Sequence, residues 1–385
     1  MRVYNCENGK TILSWCENPE ESAIEQAFNL STLPFVDNPI CLMPDTHFGY
    51  GMPIGGVIAC DGSIVPNAVG VDIGCGMLAC KTDINYLETD VLKSILGEIR
   101  KKIPVGFSHH QKANVEMMPK IDVGDRKVIG IEYESATHQV GTLGGGNHFI
   151  EIQKGIDNHI WFMLHSGSRN IGLKVAKYYN DIAKELNEKW HSVVTGSVDL
   201  AFLPIDSKEG KEYISEMEYC LDFAQANRNF MSEIIMGIMY EKTGCGFIET
   251  HNIHHNYAAL ENHNGKNRWI HRKGATSARL GEIGIIPGSQ GTSSYIVRGL
   301  GNEKSYTSCS HGAGRRMGRK QAVRELSLEN ETKKMEEKGI LHALRGKEDL
   351  DEAAGAYKDI DVVMSEQKDL VEIVVKLEPL AVVKG

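Results

Sequence analysis

Apolar residues recur every three or four positions in several long stretches of the chain. In the segment YLETDVLKSILGEIRKKI, the apolar residues from Leu87 to Ile99 fall on one face of a helix. The same period occurs in LKVAKYYNDIAKELNEKW, between about Glu212 and Lys242, and in RKQAVRELSLENETKKMEEKG. The pattern therefore predicts an amphipathic helix in each of these segments.

Shorter apolar runs, bounded by glycine or polar residues, have the length and composition of β-strands. They are IGGVIAC, HFIEIQ, HIWFMLHS and SSYIVRG. The later segment VEIVVKLEPL alternates, with Val371, Ile373, Val375 and Leu377 on one side. Together the two patterns predict an α+β fold in which mixed sheets are flanked by helices. Polar, glycine-rich loops adjoin several of the strands, and ligand sites are commonly built in such loops.

The composition is typical of a folded globular protein, with 41% of the 385 residues hydrophobic and 24% charged. The formal net charge of −9 argues against indiscriminate coating of nucleic acid, although a local basic groove is compatible with it. The chain has neither an apolar targeting segment nor a run of about 18 apolar residues, so we expect a cytoplasmic protein without membrane association. No repeat or linker divides the sequence, and a single domain over residues 1–385 is the simplest prediction.

Nine cysteines are scattered without a CxxC pair, which predicts neither a disulfide framework nor a zinc ribbon. One of them, Cys75, follows Asp72 by three residues in the glycine-flanked segment NAVGVDIGCGMLAC. A carboxylate and a thiolate at this spacing can converge on one metal ion, and a thiolate can bridge two ions. The alternative is that Cys75 is a small buried hydrophobic residue, which is the commoner role of a lone cysteine.

Histidines provide further candidate ligands. His148 in GTLGGGNHFIE and His165 in FMLHSGSRN each lie where a predicted strand meets a glycine loop, and either could be a ligand or a hydrogen-bonded structural residue. The segment ETHNIHHNYAALENH contains four more: His251, His254, His255 and His263. Because His251 and His255 are four residues apart, a helix would place both on one face. We interpret this group as a candidate metal site.

A further histidine, His311, stands between small residues in TSCSHGAGRRMGRK and is followed by Arg315 and Arg316. Small neighbours leave room for a nucleotide against the imidazole, and arginine can bind phosphate oxygens through two hydrogen bonds at once. A helix beginning near Arg319 would add its positive end. These features favour a histidine nucleophile that attacks phosphorus through a neutral ring nitrogen, whereas a structural histidine would not need them.

Taken in order, the motifs of the chain resemble those of the RtcB family of RNA-splicing ligases. They are MPDTHFGYGMPIGGV, VGVDIGCGM, GTLGGGNHFIE, HSGSRNIG, HNYAALENH, RKGAT, PGSQGTSSYIV, SCSHGAGR, AYKDID and LEPLAVVKG. The resemblance extends from about Pro44 to Gly385 and implies one RtcB-type domain with its active site in a central cleft. It implies an enzyme that uses GTP and Mn²⁺ to join RNA ends bearing a 3'-phosphate or 2',3'-cyclic phosphate to 5'-hydroxyl ends, in tRNA splicing or RNA repair. The chemistry would pass through a histidine–GMP adduct and then an RNA end capped with GMP, from which the 5'-hydroxyl displaces GMP.

The resemblance also assigns roles to residues by their positions in these motifs. The covalent adduct falls on His311, and two Mn²⁺ ions, bridged by Cys75, fall on Asp72, Cys75, His148, His165 and His255. Three histidines compete for the last place, and alignment backwards from RKGAT and His263 favours His255 over His251. The implied GTP contacts are Asn147, Phe149, Glu151, Ser289, Ser294, Ala313, Tyr357 and Lys384.

Supporting roles follow from the same resemblance. Glu151 would read the N1 and N2 hydrogens of guanine, which adenine lacks as a pair. Asp45 and His47 are expected to support the metal ligands, Arg169 and Arg315 to bind phosphate, and RKGAT to extend an RNA groove. Cysteine and histidine ligands would by affinity favour zinc, so the choice of Mn²⁺ comes from the resemblance alone.

Two other classes of function are compatible with some of these residues. A metal-dependent phosphoesterase acting on RNA ends would use the same ligands to activate water and would need no guanine pocket. A non-catalytic RNA-binding or metal-storage protein is disfavoured by the negative charge and by the lack of aromatic stacking motifs. The sequence leaves open the RNA substrate, the need for an activating helper protein and the oligomeric state, for which the resemblance favours a monomer. The segment before Pro44 is uninformative, and the short, polar segment from about Val193 to Lys211 contains no recognised motif.

Overall fold

The computed structural model describes residues 1–120, 126–192 and 198–385 and combines helices with mainly antiparallel sheets, as predicted for an α+β fold. The α-helices are α1 (Glu21–Ser31), α2 (Pro66–Val69), α3 (Thr89–Lys102), α4 (Ile129–Gln139), α5 (Arg169–Lys189), α6 (Lys208–Thr243), α7 (Arg319–Glu325), α8 (Leu328–Glu337) and α9 (Ile360–Ser365). The first strands are β1 (Arg2–Asn5), β2 (Thr11–Ser14), β3 (Ile40–His47), β4 (Ile54–Cys60), β5 (Ser63–Ile64), β6 (Gly76–Thr82), β7 (Phe149–Gly155), β8 (Ile160–Ser166) and β9 (Leu203–Pro204). The later ones are β10 (Phe247–His254), β11 (Asn256–His263), β12 (Lys266–Lys273), β13 (Ala275–Ser277), β14 (Ile283–Ile286), β15 (Ser294–Gly299), β16 (Ser308–Ser310) and β17 (Val371–Lys384).

Two large sheets form the frame of the molecule. The six-stranded sheet has the order β1-β2-β3-β4-β12-β11, and the seven-stranded sheet has the order β10-β6-β8-β7-β17-β15-β14. Strands β2 and β3 are parallel, whereas the other pairs in both sheets are antiparallel. Because β10 belongs to one sheet and β11 to the other, the chain crosses between the sheets at the residue that separates them, His255.

Helices cover one face of the seven-stranded sheet. Apolar residues of α6 such as Ile235 pack with those of α3 such as Ile95 and with the strand residues Leu78, Ile150 and Leu164. Alternate residues of the same strands point to the opposite face, where a second core contains Met77, Met163 and Phe149. Every second residue of the strands and the apolar faces of α3 and α6 therefore pack together in one buried layer.

Most of the predicted elements are present. The helical patterns correspond to α3, α5 and α6, and the predicted strands correspond to β4, β7, β8, β15 and β17. The pattern predicted as one helix from Arg319 onward is two helices, α7 and α8, which are separated by Leu326 and Ser327. Ser327 begins α8 because its hydroxyl accepts a hydrogen bond from the backbone N–H of Asn330, a typical N-cap.

The histidine-rich segment is extended, and the expectation that His251 and His255 share a helical face is wrong. His251 lies within β10, and His255 stands between β10 and β11. Backbone hydrogen bonds from β10 to β6 and from β11 to β12 fix the extended conformation. Histidine spacing alone could not reveal these pairings, because the partner strands are distant in sequence.

Within the described residues, none of the helices has the length and apolar composition that a membrane span requires. Residues 193–197, part of the segment from about Val193 to Lys211, lie outside the described residues. The remainder of that segment contains β9, which pairs with β5.

Candidate active site

Four of the predicted metal ligands lie at the ends of adjacent strands. Cys75 immediately precedes β6, His148 immediately precedes β7, His165 is the penultimate residue of β8 and His255 follows β10. These strands are neighbours in the order β10-β6-β8-β7. The register places His165 opposite the second residue of β6 and the first residue of β7. Residues from four separate segments therefore meet at one edge of the sheet.

Their ligand atoms are close together. The Sγ atom of Cys75 lies 3.2 Å from Nε2 of His165 and 3.5 Å from Nε2 of His148. Nε2 of His165 lies 3.2 Å from Nε2 of His255, and Nε2 of His148 lies 3.2 Å from Oδ2 of Asp72. All five predicted metal ligands are thus joined in one chain of contacts.

Backbone carbonyls orient two of the rings. Nδ1 of His148 lies 2.8 Å from the carbonyl of Leu143, and Nδ1 of His165 lies 3.1 Å from the carbonyl of Asn147. A carbonyl can only accept, so each Nδ1 carries the proton and each Nε2 presents its lone pair. This is the usual arrangement of a metal-binding histidine. The third ring, His255, has a buried Nδ1 without a hydrogen-bond partner among the described residues.

Burial controls the protonation of these groups. It lowers the pKa values of His165 and His255 well below the usual range, so both rings are neutral and able to bind a metal. Burial, together with the nearby charge of Asp72, raises the pKa of the Cys75 thiol. For Asp72 burial acts in the same direction, but the contacts with His148 and Cys75 and the charges of His148 and Arg169 together outweigh it and lower the pKa. Neutral imidazoles, a carboxylate and a thiol at these distances fit a site for divalent cations.

His311 lies beside this cluster. Its ring centroid is 4.8 Å from that of His255, and its Nδ1 atom lies 2.6 Å from Oδ2 of Asp45. The same carboxylate oxygen accepts hydrogen bonds from the backbone N–H groups of His311 and Gly312, at 3.1 and 3.2 Å. Because Asp45 is fully buried and holds the Nδ1 side of the ring, Nε2 of His311 is left free of this contact.

Two glycines near His311 stand where a larger side chain would not fit. A Cβ atom on Gly274 would lie 3.0 Å from Cε1 of the His311 ring and 2.4 Å from the side chain of Ile54. A Cβ atom on Gly314 would lie 2.2 Å from the carbonyl oxygen of Asp45, and this residue has a φ of 72°. Larger residues at either position would displace the histidine or the carboxylate that holds it.

A cavity of about 660 Å³ opens beside His311. It is lined by four of the predicted metal ligands, Asp72, Cys75, His165 and His255. It is also lined by most of the residues that were predicted to contact the nucleotide: Asn147, Phe149, Glu151, Ser289, Ala313, Tyr357 and Lys384. The remaining predicted contact, Ser294, is buried behind this wall, where its hydroxyl accepts hydrogen bonds from Gln153 and from the backbone of Gly288.

Glu151 is a fully enclosed carboxyl group. Burial raises its pKa to about 8, although Gln153 and the charge of Lys384 act in the opposite direction. The amide of Gln153 donates a 2.7 Å hydrogen bond to Oε2 of Glu151 and a 3.1 Å bond to Ser294. Gln153 and Ser294 therefore orient the carboxyl group that lines the cavity.

Glu352 was not predicted as a site residue, yet three cationic side chains of the cavity wall surround its carboxylate. Its carboxylate lies 3.2 Å from Arg315, 3.1 Å from Arg319 and 3.6 Å from Lys384, and it accepts a hydrogen bond from the hydroxyl of Tyr357. Burial opposes ionisation, but Lys384 and Tyr357 lower the pKa of Glu352. Arg315 already donates to Glu352. If it also binds phosphate, as predicted, its N–H groups must be divided between Glu352 and the phosphate.

Two expectations about basic residues need correction. Arg272 of RKGAT is fully buried and forms an ion pair with Glu261 at 2.5 Å, so it does not face an RNA groove. Lys273 lines the cavity, but its ammonium donates to the backbone carbonyls of Tyr50 and Asn67, and burial lowers its pKa to about 7. The sequence could not distinguish these positions because alternate residues of a strand face different surroundings.

Other predicted residues occupy clear positions. His251 lies outside the cluster and contacts Glu249. Asp45 contacts His311 directly, where support of the metal ligands had been expected, and His47 contacts the carbonyl of Asp45 at 3.0 Å. Arg169 lies 3.4 Å from Nδ1 of His148, beside the metal cluster.

Exposed aromatic residues are also present at the site, although the sequence showed no stacking motif. Phe48 and Tyr50 line the cavity and remain 57% and 70% exposed. Hydrogen bonds between the side chain of Gln26 and both backbone groups of Gly49 fix the loop that carries them. In the sequence, the two aromatic residues among glycines in HFGYG could have indicated an exposed aromatic loop.

Comparison with known proteins agrees with this arrangement. The family described as tRNA-splicing ligase RtcB matches residues 26–129 and 119–385. The chain is 38% identical over 395 aligned residues to RNA-splicing ligase RtcB of Escherichia coli K12, with 95% of each chain covered. It is 31% identical to tRNA-splicing ligase RtcB of Methanococcus maripaludis, with 96% of this chain and 92% of the relative covered. The chain therefore belongs to the RtcB family of tRNA-splicing ligases.

Proposed function

We propose that this protein is a GTP-dependent RNA ligase that joins 3'-phosphate or 2',3'-cyclic phosphate ends to 5'-hydroxyl ends through a GMP adduct on His311. The observation that carries the proposal is the contact of 2.6 Å between Asp45 and Nδ1 of His311, beside the cluster of metal-ligating residues. A histidine held in this way has one protonated nitrogen and one nucleophilic nitrogen. Family membership supports the same activity.

The first step is attack by Nε2 of His311 on the α-phosphorus of GTP. The P–N bond forms as the bond from phosphorus to the bridging oxygen breaks, and pyrophosphate leaves with the electron pair. The ring gains positive charge as this bond forms, and the carboxylate of Asp45 beside Nδ1 stabilises that charge. The proton on Nδ1 stays between His311 and Asp45, so no other base is needed.

The second and third steps transfer GMP and then release it. A 2',3'-cyclic phosphate end is first opened by water, which adds to phosphorus as the P–O2' bond breaks and leaves a 3'-phosphate and a 2'-hydroxyl. A 3'-phosphate oxygen of the RNA then attacks the phosphorus of the adduct, which breaks the P–N bond and restores His311. The 5'-hydroxyl of the other RNA end then attacks the activated 3'-phosphorus, a 3',5'-phosphodiester forms and GMP leaves. All three displacements require the reacting groups to meet at the wall that carries His311.

Two Mn²⁺ ions would be held by Asp72, Cys75, His148, His165 and His255. Bound there, the ions would neutralise phosphate charge and help to orient the phosphorus for in-line attack. The short contacts among these side chains support the assignment. The ligand types alone would also suit zinc, so the proposal of manganese depends on the family.

The nucleotide would lie against the wall formed by Asn147, Phe149, Glu151, Ser289, Ser294, Ala313, Tyr357 and Lys384. Burial raises the pKa of Glu151 to about 8, and two hydrogen bonds from N1 and N2 of guanine would favour its carboxylate form, whereas adenine offers no such pair of donors. Its position on the cavity wall and its contact with Gln153 support this role.

The remaining parts of the proposal concern the protein as a whole. One domain over residues 1–385 is supported by the family match, whose two ranges together cover residues 26–385. A cytoplasmic protein acting in tRNA splicing or RNA repair, with or without an activating helper protein, is consistent with the family. Purification of the ligase together with bound cell RNA, followed by identification of that RNA, would reveal the substrate.

The experiment that tests the function is incubation of the purified protein with Mn²⁺ and GTP labelled at the α-phosphorus. After denaturation, we expect a covalent label that is released by acid and stable to alkali, as a phosphoramidate is. His311→Ala should lose the label, and Tyr86→Ala, at an exposed position that does not line the cavity, should retain it. A wild-type protein that takes up no label but hydrolyses RNA terminal phosphates would favour the phosphoesterase.

A further inference from the structure

One arginine contacts the sequence neighbours of the metal ligands. Arg228 lies on α6, and its side chain is fully buried. Its NH1 nitrogen donates to the carbonyl oxygens of Gly74 and Ser166, at 2.9 Å each. Gly74 precedes Cys75, and Ser166 follows His165. The NH1 nitrogen of Arg228 therefore connects the loop before β6 to the end of β8.

The other nitrogens of the same guanidinium reach a third ligand-bearing segment. Nε donates to the side-chain oxygen of Asn252 at 2.6 Å, and NH2 lies 3.1 Å from Nδ1 of His254. Nδ1 of His254 also lies 3.1 Å from the carbonyl oxygen of Gly74, so this ring contacts both the guanidinium and the loop before β6. Both partners belong to β10, and His254 immediately precedes His255. Arg228 thus contacts residues adjacent to Cys75, His165 and His255.

The cost of burying this cation indicates that its position matters. Within the ranges that the structure describes, no carboxylate lies within ion-pair distance of the Arg228 guanidinium, whose partners are carbonyl, amide and imidazole groups. Removing a charge from water without an ionic partner costs several kcal/mol. An apolar residue on α6 would fill the same volume without that cost, but it could not connect three strands.

The surrounding backbone is fitted to the guanidinium. A Cβ atom on Gly76 would lie 2.0 Å from the carbonyl of Ile253 and 3.0 Å from Cζ of Arg228, so β6 and β10 approach closely at this point. The preceding residue of α6, Asn227, makes further hydrogen bonds to the end of β8. Its side chain donates to Ser166 and Gly167 at 3.1 Å and accepts from the backbone N–H of Gly141 at 2.7 Å.

We propose that Arg228 is a positioning residue that sets the separation of Cys75, His165 and His255 and so determines the affinity of the site for divalent cations. The inference deepens the proposed function, because it rests on these three residues being metal ligands. Hydrogen-bonding groups behind metal ligands typically change metal affinity by about 10–100-fold when they are removed. We therefore expect a loss of that size when the guanidinium is replaced.

The test is titration of the metal-free protein with Mn²⁺, in which free Mn²⁺ is followed by electron paramagnetic resonance. Arg228→Met keeps much of the side-chain volume, and Arg228→Lys keeps the charge but cannot reach all four partners. We expect both variants to bind Mn²⁺ about 10–100-fold more weakly than the wild type. Arg272→Met is the control: it also replaces a fully buried arginine, and we expect it to lower thermal stability while leaving Mn²⁺ affinity unchanged.

The outcomes separate the inference from the proposed function. If the wild type does not bind Mn²⁺, the proposed metal site fails and the inference fails with it. If the wild type binds Mn²⁺ and Arg228→Met binds it equally well, or if Arg228→Lys restores full affinity, positioning by Arg228 is wrong while the proposed function stands. Should Arg228→Met not fold, Asn252→Ala removes the Nε acceptor together with the donors to Gln225 and Asn229, and we expect a smaller loss of affinity in the same direction.

Discussion

Asp45 and His311 form the most informative pair of residues in the cavity. Asp45 has no contact with the metal-ligating side chains, and one of its oxygens accepts three hydrogen bonds from the His311 ring and the two backbone amides there. An aspartate in this position holds the ring in one tautomer and stabilises positive charge on it. The contact with Asp45 therefore accounts for the orientation of the His311 ring, the proposed nucleophile.

Asp45→Asn should slow formation of the labelled GMP adduct by roughly 10²–10⁴-fold, because the amide can lie in the same place but carries no charge. The initial rate of label incorporation from GTP measures this effect. Mn²⁺ binding should be unchanged, since Asp45 is not a predicted ligand. An adduct that forms at the wild-type rate would show that Asp45 does not assist His311.

His255→Ala should lose bound Mn²⁺, whereas His251→Ala should keep the wild-type stoichiometry. His255 is buried against His165, but His251 contacts Glu249 and lies away from the cluster. The two variants are matched because both remove a histidine from the same short segment. Metal content after dialysis, measured by atomic absorption, distinguishes them, and equal loss in both variants would contradict the assignment of His255.

At the scale of elements, the hairpin of β11 and β12 supports the strand that leads to His311. Glu261 of β11 pairs with Arg272 of β12, and Arg272 also donates to the hydroxyl of Ser308 and the carbonyl of Tyr306, at 2.9 Å each. Ser308 begins β16, which ends one residue before His311. A buried ion pair thus connects the edge of the six-stranded sheet to the loop that carries His311.

Glu261→Gln should destabilise the fold by about 3–5 kcal/mol, because it leaves the buried guanidinium of Arg272 without its ionic partner. Urea unfolding followed by circular dichroism measures the change in the free energy of unfolding. As a control, Glu372→Gln removes an exposed pair with Arg298 and should cost about 1 kcal/mol or less. Equal effects of the two substitutions would contradict the role of the buried pair.

The same pair predicts a dependence of stability on pH. Burial alone would raise the pKa of Glu261, but the hydrogen bonds and charge of Arg272 lower it to about 2. A folded-state pKa below the unfolded value of 4.5 stabilises the protein above pH 4.5, and this contribution disappears as the pH falls toward 2. The midpoint of urea unfolding should therefore fall more steeply below pH 4.5 in the wild type than in Glu261→Gln.

At the scale of the whole molecule, the proposed metal site links segments that are distant in the chain. Its proposed ligands extend from Asp72 to His255 and lie at or near the ends of strands of the seven-stranded sheet. A cation that binds only the folded arrangement stabilises the entire structure by mass action.

Mn²⁺ at 100 times its dissociation constant should raise the free energy of unfolding by about 2.7 kcal/mol per independent site. Thermal unfolding with and without Mn²⁺, and after addition of a chelator, measures this stabilisation. The effect should be absent in His255→Ala and present in His251→Ala. Identical unfolding with and without Mn²⁺ in the wild type would contradict a site that binds the folded state selectively.

The sequence by itself determined the main helices and strands, because the periods of three to four and of two report which side of each element is buried. Its motifs also led to His311, to the metal ligands and to the nucleotide wall, since each motif is a short local segment. It could not predict that β10 and β11 are strands, nor that the pattern beginning at Arg319 contains two helices, because strand pairing and capping overrode the local period.

Only the tertiary structure decided which distant groups meet. Asp45 and His311 are 266 positions apart, and the guanidinium of Arg228 is 154 positions from Gly74, yet both pairs are in contact. The same applies to Glu352, which joins three cations of the cavity wall, and to Arg272, whose buried partner removes it from any RNA groove. Side-chain chemistry determines what a residue can bind, but the pairing of strands and the packing of α6 determine which residues are close enough to do so.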